Sequence, residues 1–222
     1  MTKVQNKKSR MFSKTFLLIC LVSEIFGEEP KCDDTQVSSM RKCWMDYLGH
    51  FGYSKVPKFS DYLSRYVEYL NTQGPKGMSF CCSWTMRKEF CESPFKADCG
   101  SFESYMKILG VDEVDAERYF ATEAVEVWEC GDGYNLTMDH FECKLSVHNQ
   151  HQDELNFCEN KLVDEFSRGF NCSYAAEFVS CNQDIYSKYC GTSSVKFVCK
   201  CAEIALNATI PECRGSLPPC GI

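Results

Sequence analysis

Residues 59–91 read FSDYLSRYVEYLNTQGPKGMSFCCSWTMRKEFC, and this stretch decides the fold. Phe59, Tyr62, Leu63, Tyr66, Val67 and Leu70 recur at intervals of three and four, the spacing that gathers side chains on one face of an α-helix. Gly74-Pro75-Lys76-Gly77 then interrupts, because Pro lacks the amide hydrogen a helix interior needs and Gly accepts backbone angles other residues avoid. A second helical segment around Met78 to Phe90 carries the adjacent Cys81-Cys82 and leads to Cys91. The expectation is a helical hairpin fastened by sulfur.

The flanks repeat the pattern. Val37, Met40, Trp44, Tyr47, Leu48 and Phe51 follow helical spacing after Asp33-Asp34, a helix start signal, and Pro57 separates this helix from the next. Asp112-Glu113-Val114-Asp115 places acid in the first turn of a helix that carries Ala116, Phe120, Ala124, Val127 and Trp128 and stops at Gly131-Asp132-Gly133. Leu155, Cys158, Leu162 and Phe166 form another stripe, ended by Gly169. Cys172, Cys181, Cys190 and Cys199 recur every nine residues; nine helical residues turn through about 900°, so neighbours in this series face opposite ways. Breaks at Asn182-Gln183-Asp184 and at Gly191 are therefore expected, with each cysteine tying a short helix to a different neighbour. Strand alternation is scarce. The fold class read from the sequence is all-α, a disulfide-rich bundle of short amphipathic helices.

Residues 1–27 read as a signal peptide: Lys3, Lys7, Lys8, Arg10 and Lys14 precede the apolar run Phe16 to Val22, and Gly27 is a small residue at a plausible cleavage point. One of the 17 cysteines, Cys20, lies inside this leader. Sixteen follow it: Cys32, Cys43, Cys81, Cys82, Cys91, Cys99, Cys130, Cys143, Cys158, Cys172, Cys181, Cys190, Cys199, Cys201, Cys213 and Cys220. A dense, even set in an exported chain reads as a disulfide framework, since that compartment lets thiols oxidise and stay oxidised. Cys81-Cys82 is expected to bridge in two directions and Cys199-Lys200-Cys201 to make two bridges. Seven cysteines precede the loop between Cys130 and Cys143 and nine follow it, so full pairing demands a bridge across that loop. Residues 28–222 are accordingly read as one cysteine-rich helical domain.

Removing the leader takes Lys+Arg from 24 to 19 and Asp+Glu from 31 to 30, a net charge near −11. Such a surface repels phosphate, sulfated glycans and anionic lipid, which argues against nucleic-acid partners. No second apolar stretch of spanning length follows the leader, and Ser216 to Ile222 lacks the hydrophobic tail of a lipid-anchor signal. The expectation is a secreted, extracellular protein without a membrane anchor. The sequons at Asn135, Asn171 and Asn207 offer acceptors for N-linked glycan. Asn135 and Asn207 are the favoured two, because a bridge at Cys172 can lock the neighbourhood of Asn171 before transfer.

Residues of types suited to chemistry have structural readings beside them. Cys81-Cys82 resembles the cysteine pair of secreted phospholipases A2, but where those enzymes place a catalytic His-Asp pair this chain has Ser83-Trp84-Thr85-Met86, so the base is missing. His140, His148 and His151 would share a face if residues 138–152 were helical, a geometry that could hold Zn²⁺ or Cu²⁺ and support a metal-dependent hydrolase. The polar run Asn149 to Asp153 favours instead a solvated helix end. There is no Gly-x-Ser-x-Gly, His-Glu-x-x-His or phosphate-binding glycine loop. The aromatic stripe Phe59, Tyr62, Tyr66 and Tyr69 either packs or lines an apolar ligand pocket. Neither catalytic residues nor a cofactor or metal is assigned.

The order Cys32, Cys43-Trp44, Cys81-Cys82, Cys91, Cys99, Cys130, then Cys143, Cys158, Cys172, Cys181 and Cys190 resembles the nematode secreted "domain of unknown function 19" family. That resemblance covers about residues 32–190 and implies a helical, disulfide-rich secreted domain with no established activity. It leaves residues 191–222, with Cys199, Cys201, Cys213 and Cys220, as a C-terminal extension. The chain is also similar to the cysteine-rich domain of nematode chondroitin proteoglycans, although it lacks the Ser-Gly dipeptides those cores use for glycan attachment. The functional expectation is a non-catalytic extracellular module that binds a protein or matrix component. The alternative is a carrier of a small apolar ligand, with the metal-dependent hydrolase third.

Overall fold

A computed structural model describes residues 32–221, so the proposed leader and Cys20 lie outside the described residues. Ten α-helices and two short 3-10 turns make up the fold, with no strand among the described residues.

Helix α1 (Asp34–Gly49) begins at a capping box: the Asp33 carboxylate accepts from the Gln36 amide, and the Gln36 side chain accepts from the Asp33 amide. Its buried face is Met40, Cys43, Trp44, Tyr47 and Leu48. Helix α2 (Phe59–Glu92) is interrupted at Gly74, where φ 61° and ψ −151° are backbone angles that only glycine adopts without strain. Pro75 then opens the second arm, where its missing N–H costs nothing. The arms fold back on each other: Tyr69 and Trp84 rings lie 5.4 Å apart, whereas a straight helix would separate residues fifteen positions apart by about 22 Å. The hairpin read from the sequence is present.

Helices α3 (Lys96–Cys99), α4 (Phe102–Leu109) and α5 (Glu113–Cys130) follow. Gly110 ends α4 in the left-handed region, at φ 68°. These helices close a first core around Trp44, whose ring meets Tyr47, Tyr105 and Tyr119 edge-on. Helices α6 (Tyr134–Asp139), α7 (Phe141–Gln150), α8 (Gln152–Arg168), α9 (Cys172–Cys190) and α10 (Val195–Thr209) build the second half around Val147, Ile185, Tyr186 and Phe197, with a further cluster at Ala175, Val179 and Leu206. Helix α5 packs against both α2 and α10 and so joins the halves. The segment read from the sequence as an extension lies within the fold, since α10 is central to this junction.

Seven disulfides form. Cys32–Cys99, Cys43–Cys91 and Cys82–Cys130 close the first half, and Cys143–Cys190, Cys158–Cys181, Cys172–Cys213 and Cys199–Cys220 the second. Two expectations are corrected here. Cys81 and Cys201 are free thiols, one in each half, so the odd counts on either side of the Cys130–Cys143 loop are resolved without a bridge across it. And Asn182-Gln183-Asp184 does not break the chain: α9 runs unbroken to Cys190, with the Asn182 amide donating to the Phe178 carbonyl one turn back, and only Gly191 ends it. Because one long helix turns its cysteines to opposite sides, Cys172 reaches Cys213 while Cys181 reaches Cys158. The framework is that of a stabilised domain from an oxidising, extracellular environment. No helix among the described residues is long and apolar enough to cross a membrane.

Candidate functional site

A cleft of about 870 Å³ opens between the halves, within the size range of small-molecule sites. One wall is the α2 stripe, Phe59, Tyr62, Leu63, Tyr66, Val67 and Leu70, which follows from the helical spacing read in the sequence. Tyr69 is turned away onto Trp84. The opposite wall brings Phe178 and Tyr186 from α9 and Phe197, Val198 and Cys201 from α10.

The cleft's most deeply buried charged groups come from α5 and α7. Glu129, with 1% of its surface exposed, is held by Lys144, whose Nζ lies 2.6 Å from each carboxylate oxygen. The Cys201 thiol points at Glu129 Oε1 over 3.8 Å. Burial opposes the charge of Lys144, but Glu129, with smaller contributions from its other acidic neighbours, raises the ammonium pKa on balance. Burial and the adjacent Glu129 together push the Cys201 thiol well up, so it stays protonated.

Beside this pair stands Glu126. Tyr62 donates its hydroxyl to Glu126 Oε1 at 2.6 Å and Tyr47 donates to Oε2 at 3.2 Å, while the two hydroxyl oxygens lie 2.8 Å apart. Burial raises the Glu126 pKa, and the Tyr62 hydrogen bond partly counters it. At the mouth, Arg118 Nη2 meets Glu159 Oε1 at 2.7 Å. His148 lines the cleft with Nδ1 3.1 Å from Gln152 Oε1, its pKa lowered by burial and then by Lys144.

Away from the cleft, a second buried network surrounds Lys88, whose side chain is fully buried. Its ammonium pairs with Glu123, lies 3.5 Å from Glu92 Oε2, and sits 3.9 Å from the centre of the Trp44 ring. Tyr105 donates to Glu123, and Lys96 closes on Glu89. Burial opposes the ionisation of Glu123, yet Lys88 beside it holds the pKa low. Glu92 has no hydrogen-bond partner, and burial pushes its pKa far up. Glu89, Glu92 and Glu123 approach closely enough to share a cation, but Lys88 and Lys96 already occupy that space.

The three histidines are kept apart. His140 tilts against Phe197, His148 bonds Gln152, and His151 stacks on Tyr189. Of the sequon residues, Asn135 and Asn171 are exposed, Asn171 spending its side-chain oxygen on the Ser173 amide at the start of α9. Asn207 is half-buried with its side-chain oxygen enclosed. The sequence reading missed Glu126, Glu129 and Lys144. The one available sign was the spacing of Glu123, Glu126 and Glu129, which continues the face begun by Ala116 and Tyr119. Comparison of the chain with family models, curated proteins and solved structures finds no match in any of the three.

Proposed function

We propose that the protein is a non-catalytic extracellular carrier of a small, largely apolar ligand held between its disulfide-closed halves. The observation that supports this reading is the cleft of about 870 Å³ with aromatic and aliphatic walls and a few fixed polar groups. That combination suits a ligand site, in which apolar walls supply affinity and placed polar atoms supply orientation. The Cys201 thiol is held protonated and His148 Nδ1 is bonded to Gln152, which favours binding over nucleophilic chemistry in the cleft. A protein partner, favoured by the sequence, retains the exposed side chains of Phe90 and Phe157 as its support.

Thermal melting of the oxidised protein with added lipids, sterols and aliphatic amphiphiles tests the proposal. A ligand present at about 100 times its Kd stabilises by about 2.7 kcal/mol, so the midpoint should rise by several degrees for at least one class. No shift with any class, and no displacement of an apolar fluorescent probe, would contradict it.

A further inference from the structure

We infer, taking the carrier reading as the starting point, that the ligand is an amphiphile with a cationic head, an alkyl or aryl amine, whose ammonium is seated at Glu126. The charged groups lining the cleft are Arg118, Glu126, Glu129, Lys144 and Glu159. Both cations are already engaged within the protein. Lys144 is held by the two oxygens of Glu129, and Arg118 by Glu159. His148 offers no third cation: its Nδ1 bonds Gln152, and burial and then the nearby Lys144 disfavour the charged ring. An anionic head entering the cleft would meet two buried carboxylates and no free positive partner.

Glu126 is the complement of that deficit. It is 5% exposed, lines the cleft, and takes part in no ion pair among the described residues. Tyr62 and Tyr47 each give one hydroxyl to it, which fixes its plane but leaves acceptor capacity on both oxygens. A buried carboxylate without a counter-charge is costly, and an ammonium arriving beside it removes that cost. Phe59, Tyr62 and Tyr66 line the same wall, and aromatic faces attract ammonium groups. A neutral alcohol could donate to Glu126 but would bring no charge; an amine brings donor and charge together. The apolar body would then lie along the α2 stripe towards Phe178 and Phe197.

The test is direct titration of the oxidised protein with decylamine, decanol and decanoate, all below their micelle concentrations, with butylamine as a head-only control. Decylamine should bind at least about tenfold tighter than decanol, as expected for a charge-assisted hydrogen bond over a neutral one, with decanoate weakest and butylamine undetected. Glu126→Gln, checked for folding by its circular dichroism melt, should bring decylamine down to the affinity of decanol. Decanoate binding as tightly as decylamine, butylamine binding as tightly as decylamine, or an unchanged ranking in E126Q would overturn the inference. The wild-type ranking alone decides it if E126Q fails to fold. Binding of all three long chains without preference removes this inference only, whereas binding of none removes the carrier reading with it.

Discussion

Glu92 and Glu123 sit one on each side of Lys88, and a single ammonium cannot offset two buried carboxylates. Glu123 keeps the charge, and Glu92, without a hydrogen-bond partner, holds a proton in the fold. Its folded pKa is raised above its unfolded value, so its contribution to stability is fully present below about pH 4.3 and lost as pH rises towards the folded pKa. Glu123 has the opposite sign and loses its contribution as pH falls below the ordinary carboxylate range. Glu92→Gln mimics the protonated form. It should stabilise the protein at pH 8 by on the order of 1 kcal/mol and flatten the decline between pH 5 and pH 8 in urea denaturation; a destabilised variant with an unchanged slope would contradict this. The thiols give a second test at the same scale. Cys81 is fully buried and burial raises its thiol pKa far beyond reach, as for Cys201, so neither should alkylate in the native protein. In denaturant without reductant, iodoacetamide should label Cys81 and Cys201 alone among the cysteines from Cys32 to Cys220; label on any of the other fourteen would refute the pairing. Their freedom was illegible in the sequence, because an even count says nothing about which members pair.

Helix α5 shows where periodicity misleads. Its apolar positions Ala116, Phe120, Ala124, Val127 and Trp128 suggest one inner face; Ala116 is buried and Phe120 and Trp128 pack partly buried against the cores, yet the rest of the buried set is Tyr119, Glu123, Glu126 and Glu129. Sequence spacing assumes that apolar side chains choose the inside. Here the choice is made by Lys88 on α2 and Lys144 on α7, which supply counter-charges from distant elements, together with the tyrosines that hydrogen-bond Glu126. No local pattern records such partners. The α2 stripe was legible for the converse reason: Phe59 to Leu70 is apolar on one face, and packing alone decides it. Breaking the α5–α7 pair should be costly. Lys144→Met leaves Glu129 buried without its cation, and should destabilise by about 3–5 kcal/mol. Adding Glu129→Gln should restore much of that loss, as read by a double-mutant cycle in urea; additive losses would show that the pair is not coupled.

At the scale of the whole molecule, disulfides stay within each half and noncovalent packing of α5 on α2 and α10 spans the gap. All-α class and the sulfur framework could be read from composition and spacing. The cleft could not, since it arises between helices from opposite ends of the chain. Its volume and walls carry the functional account. The most direct test is native mass spectrometry of the oxidised protein titrated with the amphiphiles above, beside a variant in which Ala205→Trp fills part of the cleft. One bound molecule per chain for the wild type, and strongly reduced occupancy for A205W, is the predicted result. Equal occupancy in both proteins would place the ligand elsewhere, and no bound species at all would contradict a carrier.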